Sequence, residues 1–160
     1  MIAGEDLRNA LLTPQMLQYF RRKFPQVPDG ELEVRLEESL KFLNIAVFCR
    51  GNIPVSQEID DIWHYWILQT REYARLCTRL QGNRFIHHSS NAYDDGTDAA
   101  GRHHDVEQDV VMLATYVLNY GPFEARRTRY WTFANHLLTD LGMSLDQLND
   151  WLNSALARTA

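Results

Sequence analysis

The sequence predicts an all-α fold, a bundle of five to six helices around one core. Three observations lead there. Apolar residues recur at three- and four-residue spacing through almost every segment. No segment carries the strict alternation of a half-buried strand, and no internal repeat is visible. Helix-starting residues precede these segments, and Gly or Pro closes them. With 160 residues, 45% hydrophobic and 23% charged, the chain is expected to be one ordinary domain over 1–160.

The elements follow in order. Thr13 can cap a first helix, with Pro14 in the first helical position. Met16, Leu17, Tyr19, Phe20 and Phe24 keep helical spacing until Pro25 and Pro28 stop the run. Asp29 starts a second helix whose apolar set runs from Leu32 to Phe48, ended by Gly51 and Pro54. The third and longest helix, the expected centre of the bundle, runs from Val55 or Ser56 to about Leu80, and Gly82 closes it. Residues 89–102, SSNAYDDGTDAAGR, are polar, acidic and Gly-containing, and form the one clear loop. A connection that long in a compact domain is usually functional or disordered, and a lid is the functional expectation. A fourth helix begins at His104 or Asp105 and stops at Gly121-Pro122. A fifth spans about 124–141, with Gly142 at its end. Ser144 and Gln147 have capping-box spacing at the start of a sixth.

Charge and cysteine content narrow the function classes. A net charge of −5 argues against non-specific nucleic-acid or anionic-membrane binding. Two cysteines, Cys49 and Cys77, do not make a disulfide framework. The first residues show no basic segment followed by an apolar run, and no stretch reaches 18 uninterrupted apolar residues. A cytoplasmic, reduced protein without a membrane span is the expectation.

The chemistry concentrates between Pro54 and Asn91. At 100° per residue, Ile59, Ile62, Trp63, Trp66, Tyr73, Cys77 and Leu80 share the core face of the third helix. Residues 62–68 are apolar nearly all round, which predicts an enclosed helix and a partly buried His64. Asp60 lies one turn before His64, where it can hold a ring N–H. Such a carboxylate is the usual support of a metal-ligating histidine, and equally an ordinary structural hydrogen bond. His87-His88 follows the Gly82 stop, and His103-His104 stands at the far end of the acidic loop. In an extended segment adjacent side chains point opposite ways, so one of His87 and His88 is expected to face His64.

His64, His87 and His88 are therefore the candidate metal ligands, with His64 and Asp60 the candidate catalytic pair and Asp61 a second possible orienting carboxylate. Three histidines suit catalytic zinc, and two with a carboxylate suit non-haem iron. Without metal, a histidine can serve as a general acid or base. Cys77 falls about three and a half helical turns from His64, too far to share a shell, and reads as a small buried hydrophobe. Arg71, Arg75 and Arg79 form an i,i+4 stripe away from the core, and Arg84 and Arg126-Arg127-Thr128-Arg129 add positive charge. Guanidinium forks suit carboxylate or phosphate, which makes the stripe a candidate anion site, although a solvated face is the simpler reading.

Pro54, Asp60, Ile62-Trp63-His64, Leu68, Arg71, Tyr73, Cys77, Gly82 and Phe85-Ile86-His87-His88 together resemble the core motif of the glycine-rich-domain-containing-protein-like family. That family occurs in plants, fungi and bacteria, and the Phe-Ile-His-His ending is similar to its bacterial members. The resemblance covers about residues 40–90. Where many eukaryotic members have a second histidine two positions after the Trp-His step, this chain has Trp66, and the glycine-rich tail is absent. The resemblance implies a fold unit rather than a reaction. From the residues, three functions stand as expectations: a histidine-centred site for zinc, iron or proton transfer; a protein-interaction module in which Trp63, Tyr65, Trp66 and Trp131 build a core and a groove; or binding of an anionic ligand or RNA through the stripe of Arg71, Arg75 and Arg79.

Overall fold

The structure, a computed structural model, describes residues 1–49, 53–88 and 106–159. The expected 89–102 loop, its role as a lid, and the His103-His104 pair lie outside those residues. The described chain is all-α. Its helices are α1 (Gly4–Leu11), α2 (Pro14–Lys23), α3 (Asp29–Ile45), α4 (Gln57–Leu68), α5 (Thr70–Arg79), α6 (Val106–Tyr120), α7 (Ala125–Thr128), α8 (Thr132–Thr139) and α9 (Leu145–Thr159), with a 3₁₀ turn at Ala46–Phe48 after α3. None is long and apolar enough to cross a membrane.

Several starts form as their residues predict. Met16 N donates to Thr13 Oγ1 at 3.2 Å, with Pro14 opening α2. Ser144 and Gln147 exchange reciprocal bonds, Ser144 N to Gln147 Oε1 at 2.8 Å and Gln147 N to Ser144 Oγ at 3.1 Å, at the head of α9. Gly82 ends the α5 region with φ +85°, followed by Asn83 at φ +44°. A side chain at Gly82 would be strained by that φ and would also meet Val47 Cγ2 at 3.1 Å.

The structure departs from expectation in four places. α1 is an additional helix, short and with Leu7 its one buried residue, laid against α3. The expected 56–80 helix is two helices, broken at Gln69 (φ −89°, ψ 68°). Trp63 Nε1 donates to Tyr73 OH at 2.9 Å, although a straight helix would set these residues about 15 Å apart along its axis. The break lets α5 pack back on α4. The expected 124–141 helix is likewise divided into α7 and α8. There Ser56 N donates to Tyr130 O (2.9 Å) and Thr132 N to Pro54 O (3.1 Å), an antiparallel Val55–Trp131 bridge that needs extended backbone.

The fourth departure concerns the centre. The enclosed helix is α3, not the expected 56–80 segment. α3 contacts α1, α4 and α6 and is buried from Leu36 through Ile45, including Glu37, Glu38, Lys41 and Asn44. Those polar residues are enclosed because they are paired. Lys41 Nζ reaches Glu38 and Tyr116 OH at 2.8 Å each, and Arg127 bridges Glu37 and Glu38 at 2.8 Å each. α4 is more apolar in sequence but only half enclosed, for Leu68 is 66% exposed. The buried hydrophobic residues, among them Phe20, Leu40, Phe42, Trp63, Trp66, Tyr73, Tyr116, Trp131 and Leu152, form one cluster.

Candidate metal centre

Asp60 and His64 sit one turn apart on α4, and His88 arrives from the chain that follows α5. Asp60 belongs to the first turn of α4, where the partial positive charge of the helix end favours a carboxylate. His88 is delivered by a chain of ties. Gln81 N donates to Asn44 Oδ1 (3.1 Å), and Asn83 N to Leu80 O (3.1 Å), which turns the backbone past Gly82. Tyr73 OH then donates to Ile86 O at 2.6 Å while accepting from Trp63. The segment is thereby fixed against both α4 and α5.

At the end of that segment His88 Nε2 donates to Asp60 Oδ1 at 2.6 Å. The His88 ring lies 4.1 Å from the Trp63 ring, edge to face, and 4.2 Å from the His64 ring. His64 Nδ1 is 3.0 Å from the Asp60 carbonyl oxygen and 3.4 Å from Asp60 Oδ2. A ring nitrogen facing a carbonyl oxygen must carry its hydrogen, so both imidazoles are oriented as donors to Asp60. One ligand atom from each of Asp60, His64 and His88 can be chosen so that all three lie within 4.8 Å of one another.

The site is graded from dry to wet. The side chain of His88 is 5% exposed, that of Asp60 18% and that of His64 50%. His64 is half buried rather than enclosed: its side of α4 opens to solvent, while Trp63 and Trp66 take the core side. Asp60 serves both histidines rather than His64 alone. His87 is exposed, stands 4.9 Å from the Phe85 ring and is not brought beside His64. Asp61 turns to Gln57, whose Nε2 donates to Asp61 Oδ1 at 2.7 Å.

Cys77 is buried and free, as a small core residue. Arg71, Arg75 and Arg79 are exposed on α5, and Arg75 pairs with Glu72 at 3.1 Å. The positive charge of residues 126–129 is engaged within the fold. Arg127 holds Glu37 and Glu38, and Arg126 and Arg129 hold Glu31. Sequence reasoning missed Tyr73 as the tie to the His88 segment. A tyrosine ten residues after Trp63 carries no such signal unless the break at Gln69 is known.

No curated protein and no solved structure matches the chain at significance. A family model described as UCP032817-like matches residues 5–101, more than half of the chain and all of Asp60, His64 and His88. That description differs from the family suggested by the Trp-His motif. The chain belongs to the UCP032817-like family.

Proposed function

We propose that Asp60, His64 and His88 bind one divalent transition-metal ion, zinc or ferrous iron, and that this site is the functional centre of the domain. The observation that carries the reading is the convergence of two imidazoles and one carboxylate from separate parts of the chain, with ligand atoms within 4.8 Å of one another. Ligand atoms bound 2.0–2.1 Å from a tetrahedral zinc are about 3.4 Å apart; His64 Nδ1 stands 3.4 Å from Asp60 Oδ2, whereas His88 Nε2, 2.6 Å from Asp60 Oδ1, would draw back from the carboxylate, and each ligating nitrogen would release its hydrogen on binding. Imidazole and carboxylate are donors that suit both metals. The half-exposed His64 side would leave room for water or substrate. When bound, such an ion would supply Lewis-acid or redox chemistry, which makes metal-assisted hydrolysis or iron-dependent oxidation the broad class.

A second reading has its own observation. His88 is already satisfied by Asp60 and packed on Trp63, as a structural histidine in an interaction module would be. Metal analysis of untagged protein purified without chelators separates the two. Wild type should carry near-stoichiometric zinc or iron, and folded Asp60→Ala and His88→Ala variants should lose it. If wild type stays metal-free even after incubation with zinc and with ferrous iron, the site does not hold metal and the structural reading stands.

A further inference from the structure

A second concavity lies on another face, where α5 passes the start of α2. It encloses about 290 Å³, and none of Asp60, His64 and His88 lines it. Its floor is apolar, from Leu11, Met16, Trp66 and Leu76, and Arg75, Arg79 and Glu72 stand among its lining. Met16, Trp66 and Leu76 are held by the core, so the floor is preformed. Arg75 and Arg79 are neighbours at i,i+4 on α5, with exposed side chains. Arg75 is paired with Glu72 at 3.1 Å. Arg79 has no acidic partner among the described residues and stands free at the edge. Thr78 donates its hydroxyl hydrogen to Arg75 O and Thr13 Oγ1 accepts from Met16 N, so the two guanidinium groups are the cationic handles of the groove, with the Thr13 hydroxyl hydrogen beside them.

We propose that this groove binds a small amphipathic monocarboxylate, its apolar body on Trp66, Met16 and Leu76 and its carboxylate on Arg79 and Arg75. Two guanidinium charges and the single Glu72 carboxylate leave a surplus of one positive charge. That matches one carboxylate and disfavours a phosphate dianion, which Glu72 would repel. Guanidinium is the side chain that holds a carboxylate in a two-point fork. The volume lies near the lower end of ligand sites, about 300–1,000 Å³, which limits the occupant to a short chain or a single ring. The inference is independent of the metal site.

The test is titration of the whole protein with octanoate, followed by calorimetry and by amide chemical shifts. Octanoate should bind saturably, with shifts clustered on α2 and α5. Arg79→Gln should weaken it about tenfold, 1-octanol should bind at least about tenfold more weakly, and added salt should reduce affinity. Arg84→Gln, outside the groove, should leave binding unchanged, and the same titration on chelator-treated protein should give the same result. Absence of saturable binding, equal binding of octanol, or an Arg79→Gln variant that binds like wild type would each overturn the proposal.

Discussion

Glu38 shows what a single residue decides in this fold. It lies inside α3 with no solvent contact. Its Oε1 receives Lys41 Nζ and Arg127 Nη1 at 2.8 Å each and Tyr116 OH at 3.5 Å, and its Oε2 receives Trp131 Nε1 at 2.9 Å. A carboxylate without water is tolerable only when its lone pairs are filled in this way. Removing it strands Lys41, itself 5% exposed, as a buried cation. Glu38→Ala should therefore cost about 3–5 kcal/mol, a large share of the roughly 5–15 kcal/mol that holds a domain together. Trp131→Phe keeps the ring packing and removes one donor, so its cost should be about 1–3 kcal/mol. Urea unfolding of the three proteins measures both. A Glu38→Ala variant within about 1 kcal/mol of wild type would show that the network contributes little. Little of this was legible in DGELEVRLEESLKFLNI, where only the i,i+3 spacing of Glu38 and Lys41 is local. Tyr116, Arg127 and Trp131 lie 75 to 93 residues from the groups they hold, and sequence spacing carries no trace of them.

At the scale of elements, the candidate metal centre depends on a joint between helices. Tyr73 on α5 accepts from Trp63 on α4 and donates to Ile86 O in the segment that ends at His88. Tyr73→Phe removes both bonds and keeps the ring in place. The variant should stay folded, lose about 1–2 kcal/mol, and let the amides of 85–88 exchange faster with solvent. If the site holds metal, affinity should fall about ten- to a hundredfold, as when other supports of a ligand are removed. Hydrogen exchange detects the loosening whether or not metal binds. Unchanged exchange at 85–88 would mean that Asp60 and Trp63 fix His88 unaided. Most elements were legible because their starts and stops are local: Thr13-Pro14, Gly82, Ser144 with Gln147. The break at Gln69 was not, since neither Gly nor Pro marks it and the apolar stripe runs through it without a phase change. The division at Tyr130 and Trp131 was hidden for a similar reason, because the bridge to Val55 is a long-range contact. The site was half legible. Asp60 and His64 follow from i,i+4 spacing, whereas the choice of His88 over His87 depends on how Tyr73 holds the chain.

Across the whole molecule, the core is built with a high proportion of ionisable groups held neutral. Burial pushes the phenols of Tyr73, Tyr116, Tyr120 and Tyr130 above their ordinary range, and the Glu38 carboxylate pushes Tyr116 further. Burial, aided by the charge of Asp109, raises the Cys49 thiol from 9.0 to about 11. These groups come from the residue that follows the 3₁₀ turn, from α5, from α6 and from the turn between α7 and α8, so no single element carries the effect. All five shifts have the same sign. Each folded value lies above the unfolded one, so the folded state binds the proton more tightly. The stability this provides is fully present below the unfolded value, near 9 for the thiol and 10 for the phenols. It is lost as pH rises through the window between unfolded and folded values. Each group ionised only in the unfolded chain lowers stability by about 1.4 kcal/mol per pH unit. The slopes add, so the protein should hold its melting temperature from pH 7 to about 9 and then lose it steeply towards pH 11. Thermal melts across that range, read with phenolate absorbance, check the sign and the cause together. Of the seven tyrosines, the four raised by burial should contribute their phenolate absorbance in one cooperative step with loss of helix, because they ionise only on unfolding. Phenolate absorbance amounting to all seven tyrosines at full helicity would show instead that the four buried phenols titrate within the native fold and that their burial contributes nothing to its alkaline limit.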